Sequence, residues 1–244
     1  MIGAAVLVTI AGCGDGRDGG DEGGGSAGPP PTLVASPIDV SHLTGVSKFR
    51  SCAGHDFSPG VLGHGAPDAE RARSMKHYLQ TDVPIDQADS VDVFAPVAGT
   101  IDIQEETFPL GKQVYIHAGG WSVRLFHIDP SVADGAAVAA GDKVGTIPPA
   151  NAAALLGNKP SPSGEVPDYE FDIAVTSDRN EFVSIFDLFA PDVAAEWATQ
   201  GFTKENAIVT KDARDAAPCE LAADGENFAD KDFDPDDWVQ AATS

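Results

Sequence analysis

The sequence is short of positive charge: 15 Lys and Arg stand against 38 Asp and Glu, a formal net charge of -23. So acidic a surface repels phosphate backbones and anionic headgroups, which excludes nucleic-acid binding and electrostatic adsorption to anionic lipid. No phosphate-cradling loop is present, because the glycine-rich run before Ser26 has no strand ahead of it. No internal repeat is present either, which excludes solenoid and propeller architectures. The apolar run Met1 to Cys13, MIGAAVLVTIAGC, is too short to span a bilayer. Cysteine is scarce, with only Cys13, Cys52 and Cys219.

What is there begins with that apolar run, which fits a signal h-region ending in small residues. Ile10, Ala11, Gly12 and Cys13 look like a bacterial lipobox, so Cys13 is expected to carry lipid after cleavage. No Lys or Arg precedes the run, which places the true start upstream or makes the signal atypical. The competing reading, a buried N-terminal strand, fits less well, because the following segment has a tether's composition. Residues 14–32 hold almost nothing apolar and are expected to form a flexible linker stiffening at its prolines. An anchor and a tether imply a domain held at a membrane face outside the cytoplasm, periplasmic or cell-surface. With Cys13 lipidated, Cys52 and Cys219 remain, and an oxidising compartment makes them most simply a disulfide clasping the two ends of the domain. The sharper alternative makes Cys52 a nucleophile beside His55, leaving Cys219 unexplained.

Residues 33–222 are enough for one domain with its own core. From Asp92 to Gly145 the apolar runs are short and punctuated by Gly or Pro, which predicts short antiparallel strands and tight turns, a mainly β fold. An entry strand is expected around Leu43 to Phe49, and another extended stretch at Met75 to Leu79. Between them runs a loop with His55 and His64, with a helical turn expected at 67–74. The run DYEFDIAV, 168–175, alternates with period two, placing Tyr169, Phe171 and Ile173 on one face and Asp168, Glu170 and Asp172 on the other. Three carboxylates on one face repel, so a cation is expected there, unless they are simply the wet face of an edge strand. Short helices are expected at 150–157, at 191–200 with Pro191 in its first turn and Gly201 as a stop, and at 203–217. The acidic run after residue 222 reads as a solvated tail; its DKDFDPDD lacks the glycine and closing glutamate of a calcium loop.

The runs VFAPVAGTI, GKQVYIH, WSVRLFHID and GAAVAAGDKVGTI, in that order, resemble the core of the lysostaphin or LytM-like zinc metallopeptidases, the duplicated hybrid motif fold. The resemblance covers about His77 to Val175 and implies a lysostaphin-like β-sandwich or barrel-sandwich hybrid that acts on peptidoglycan peptides. Biotinyl, lipoyl and phosphotransferase carrier domains share the strand pattern. A carrier would need its lysine at a hairpin tip, where Lys112 is the only candidate, and the phosphotransferase carriers are cytoplasmic.

The family binds zinc through a His-x-x-x-Asp pair and the second histidine of a closing His-x-His, with two further histidines assisting. Residue by residue, the resemblance places His77 and, with one extra residue, Asp82 as the first pair. Glu170 stands at the ligand histidine, Asp168 at a catalytic one, and His127 at the remaining helper. A His77, Asp82, Glu170 set could hold zinc but is more anionic than a two-histidine site, which opposes formation of metal-bound hydroxide. A carboxylate at Asp168 would repel a developing oxyanion. His55 could supply an imidazole if its loop folds back over the site. The expectation is therefore a lipid-anchored envelope module, either a metal-dependent endopeptidase or an inactive relative that binds peptidoglycan or a partner protein and regulates a hydrolase.

Overall fold

The computed structural model describes residues 28–59, 70, 72–82, 91–105, 112–147, 170–223, 225, 227–229 and 234–242, with Glu170 described in its backbone only. Cys13, His64, Asp168 and the helix expected at 150–157 lie outside the described residues, as does half of the turn expected at 67–74.

The strands are β1 (Leu43–Ser47), β2 (His77–Thr81), β3 (Asp92–Phe94), β4 (Gly99–Glu105), β5 (Lys112–Ala118), β6 (Trp121–Pro130), β7 (Ala137–Val138), β8 (Lys143–Thr146), β9 (Glu170–Ser177), β10 (Phe182–Val183) and β11 (Trp238–Gln240). They form an antiparallel sheet in the order β11-β1-β2-β9-β6-β5-β4-β7. β10 adds to β9, and β8 bridges the end of β6 to β3. The mainly antiparallel β class expected from the punctuated apolar runs is what the chain adopts. Glycine has a packing reason at Gly99, where a Cβ would lie 2.5 Å from the carbonyl oxygen of His117.

Alternation sends Phe171, Ile173 and Val175 of β9, Val123 and Leu125 of β6, and Val114 and Ile116 of β5 to one face, where all are buried. Burying each such side chain contributes about 1.5–3 kcal/mol. Helix α1 (Pro191–Thr199) starts on Pro191 and contributes Trp197 to the same core. Trp197 meets Phe186, from the short 3-10 turn after β10, edge to face at 5.4 Å. The opposite face carries a smaller cluster that includes Phe57, Phe126, Ala174 and Phe182.

Two expectations at the C-terminal end change. The helix anticipated over 203–217 divides into α2 (Lys204–Ala207) and α3 (Lys211–Ala216). The break is imposed from outside, since Phe49 takes the Ala207 carbonyl as acceptor and receives the Val209 amide. The tail is not simply solvated: Trp238 and Val239 are buried in β11, which pairs with β1, and the buried Asp237 accepts from Arg214 at 2.8 Å. Its acids make it look soluble, but three residues of edge pairing and one tryptophan are enough to dock it.

Cys52 and Cys219 are joined, with Cα atoms 5.4 Å apart and a sequence separation of 167. A crosslink closing so long a loop restricts the unfolded chain. Replacing both cysteines by serine is expected to cost about 2–5 kcal/mol. Urea unfolding should show the midpoint falling in the variant, and in the wild type under reductant.

Candidate functional site

Strand register decides which expected ligands can meet. In the β2–β9 pair His77 lies opposite Ile173, Tyr78 opposite Asp172 and Gln80 opposite Glu170. His77 therefore points to the opposite face of the sheet from Asp172. Its ring is fully enclosed, with Nδ1 2.8 Å from the Ser47 carbonyl oxygen and Nε2 2.8 Å from Ser184 Oγ. A carbonyl only accepts, so Nδ1 carries the proton and Nε2 accepts from the serine hydroxyl. Asp82 is at the surface, where it accepts from His42 Nδ1 at 3.1 Å.

The structure thus gives His77 and Asp82 separate structural partners, and neither ring nitrogen of His77 remains for a metal. Among the described residues no three His, Cys, Asp or Glu side chains converge as a metal site. On the Asp172 face the same stretch presents Lys76, Tyr78 and Gln80, none of which is a usual zinc ligand.

Lys76 is the cation beside Asp172. Its Nζ donates to Asp172 Oδ2 at 2.5 Å, and the two residues are 2% and 1% exposed. The rings of Tyr78, Phe126 and Phe57 surround the ammonium at 4.5, 4.8 and 5.3 Å. Desolvated cation–π contacts of this kind are worth about 2 kcal/mol and help offset removal of the charge from water. Burial alone would push the Asp172 carboxyl up, but the Lys76 charge and His127 hold it down to about 2. β9 lies between β2 and β6, so Asp172 is not on an edge strand and does not face solvent.

His127 reaches this pair through a β-bulge. Phe126 and His127 together oppose Gln113, and His127 takes φ +63. A bulge re-aims the side chain it carries, and histidine tolerates the left-handed region better than most residues. Its Nε2 lies 3.5 Å from Asp172 Oδ2.

His55 arrives on the loop tied down by Cys52. Asp56 holds that loop by accepting from the amides of Ala72 and Arg73, and the His55 amide donates to the Tyr78 hydroxyl at 3.4 Å. Gly54 makes the approach feasible: at φ +72, a Cβ there would sit 2.0 Å from the Tyr78 hydroxyl oxygen. The Lys76 charge, reinforced by burial and opposed by Asp172, pushes His55 down to about 4. Of the expected residues, the structure brings His127 and His55 to one place. Sequence reading missed Lys76 and Asp172 as the pair at its centre, although the crowded carboxylates were the signal for it.

Two measurements follow. Lys76→Met or Asp172→Asn alone strands a buried charge and is expected to cost about 3–5 kcal/mol, whereas Lys76→Met with Asp172→Leu should recover most of that loss. Additive losses in denaturant unfolding would show the pair to be uncoupled. Burial holds His77 down to about 4, close to His55, against an ordinary 6.5. The unfolded chain takes up protons that the fold refuses, so stability falls as pH drops from about 6.5 toward 4. His77→Gln should flatten that slope in urea midpoints taken across this range. Asp172 has the depressed-carboxylate sign, so its contribution is full above 3.8 and is lost as pH falls toward about 2.

No protein-family model matches the chain, and no curated protein matches it. Solved structures do. The SpoIIQ–SpoIIIAH pore-forming complex is similar at TM-score 0.42 and 17% identity, over 65% of this chain and 91% of that one. Helicobacter pylori Csd3 is similar at TM-score 0.38 and 12% identity, over 80% of this chain and 38% of that one. A putative peptidase M23 from Pseudomonas aeruginosa is similar at TM-score 0.34 and 20% identity, over 66% of this chain and 52% of that one. The chain thus spans about half or less of the length of the last two.

Proposed function

We infer that this chain is a lipid-anchored, extracytoplasmic LytM-like module that binds peptidoglycan or an envelope protein and does not cut it by metal-assisted hydrolysis. The observation that carries the reading is the buried Lys76–Asp172 pair, which puts a fixed ammonium among the groups of the candidate site. An ammonium bonded to a carboxylate cannot acidify water or polarise a carbonyl as a Lewis acid does. The groups around it act in other ways. Lys76 neutralises Asp172, Tyr78 and Phe126 confine the ammonium, and His127 and His55 supply imidazoles at the margin of the cluster. The order of VFAPVAGTI, WSVRLFHID and GAAVAAGDKVGTI supports the family reading. The Cys52–Cys219 disulfide supports an oxidising compartment, and the Ile10 to Cys13 quartet supports the anchor. Among the described residues no helix is long and apolar enough to cross a membrane.

The competing reading keeps an endopeptidase with zinc on His77, Asp82 and Glu170, assisted by His127 and Asp168. Metal analysis of the purified full chain, with peptidoglycan sacculi as probe, separates the two. The binding module is expected to sediment with sacculi or with extracted envelope protein, retain no zinc after dialysis and release no peptides. Stoichiometric zinc that is lost in both His77→Ala and Glu170→Ala, together with release of peptides from sacculi, would establish the enzyme instead. Cys13→Ser is expected to move the protein from the membrane to the soluble fraction.

A further inference from the structure

Ser122, His117 and Asp102 form a hydrogen-bonded chain across β6, β5 and β4, on the sheet face opposite the main core. Ser122 lies directly opposite His117. Asp102 lies opposite Tyr115, one diagonal step from the imidazole. The Ser122 hydroxyl oxygen is 2.8 Å from His117 Nδ1, and His117 Nε2 is 3.3 Å from Asp102 Oδ2. A carboxylate only accepts, so Nε2 carries the proton and Nδ1 accepts from the Ser122 hydroxyl. That is the order of nucleophile, base and orienting carboxylate found in serine hydrolases, recognised by geometry and roles rather than by fold. The two ring nitrogens are exchanged relative to the usual arrangement, which leaves the proton chemistry intact.

A purely structural polar ladder would leave its neighbours satisfied. Two neighbours are not. Thr176, opposite Ser122 in the β6–β9 pair, has a buried hydroxyl with no hydrogen-bond partner. Arg124, two residues along β6 on the same face, has a buried Nε with none. The guanidinium carbon sits 4.8 Å from the centre of the Tyr115 ring, a cation–π contact that restrains the group. Two orphan donors thus stand on the same sheet face as the Ser122 hydroxyl, and donors of this kind are what a developing oxyanion needs.

We propose that Ser122 is a metal-independent acyl-transfer nucleophile for carboxylic esters, with His117 as its base and Arg124 and Thr176 as oxyanion donors. The Ser122 oxygen forms a bond to the acyl carbon while its proton passes to His117 Nδ1. His117 returns that proton to the departing alkoxide as the C–O bond breaks, and water then releases the acyl group by the reverse sequence. Asp102 is a positioning residue, holding the tautomer that leaves Nδ1 able to accept. Ser122 is only 6% exposed, which favours a small acyl group such as acetyl.

The test treats the full chain with a fluorophosphonate probe and with p-nitrophenyl acetate, with and without EDTA. Expected results are a covalent adduct mapped to Ser122 by peptide mass spectrometry, and ester hydrolysis insensitive to EDTA. Ser122→Ala and His117→Gln should lower that hydrolysis at least about 100-fold. Asp102→Asn should lower kcat more than it raises KM and displace the pH profile, which a merely structural role would not do. Absence of a Ser122 adduct in the wild type overturns the proposal even where Ser122→Ala fails to fold, and so does hydrolysis unchanged in a folded Ser122→Ala. Insensitivity to EDTA keeps this outcome separate from that of the zinc and sacculus experiment.

Discussion

The register of β9 between β2 and β6 is the constraint on which the rest of the molecule depends. It sends Phe171, Ile173 and Val175 into the core and Asp172, Ala174 and Thr176 to the other side. A slip of one residue would exchange the two sets and put a carboxylate among the large aliphatic side chains. The ion pair at its centre reinforces the register, because Asp172 tolerates burial only where the Lys76 ammonium meets it. The same parity turns His77 inward, where Ser47 and Ser184 hold it as a neutral structural histidine.

Around that strand the chain assembles its site from distant parts. The bulge in β6 aims His127 at Asp172, and the Cys52–Cys219 crosslink anchors the loop bearing His55 to the C-terminal segment. The result is a nearly closed, charge-balanced cluster under an aromatic lining. A fixed ammonium in such surroundings neutralises a carboxylate without the open coordination position that metal catalysis needs. Farther along the same face His117 and Asp102 are more exposed and Ser122 is buried beside them, so one sheet face carries two chemically distinct sets of groups.

Much of the fold was legible from residues 92–145, because Gly and Pro punctuation limits apolar runs to strand length. The two faces of 171–175, the start of α1 at Pro191 and the pairing of the last two cysteines were equally legible, each resting on local chemistry or on counting. The break between α2 and α3 was not, since it arises from hydrogen bonds to Phe49, more than 150 positions away in the chain. Docking of β11 was hidden for a similar reason, because an acidic run reveals nothing of the strand edge waiting for it. At the candidate site the histidines drew the eye to His77, but spacing within a strand does not say which neighbour's parity it must match.

The sequence by itself determined the β class, the acidic surface and the disulfide partners. These follow from composition, period and counting, all of which are read without knowing the pairing of strands. Only the tertiary structure decided that Lys76 meets Asp172, that His77 belongs to the core, and that Ser122 meets His117 and Asp102. Each of those depends on which residues stand opposite one another across strands, a relation set by pairing distant segments.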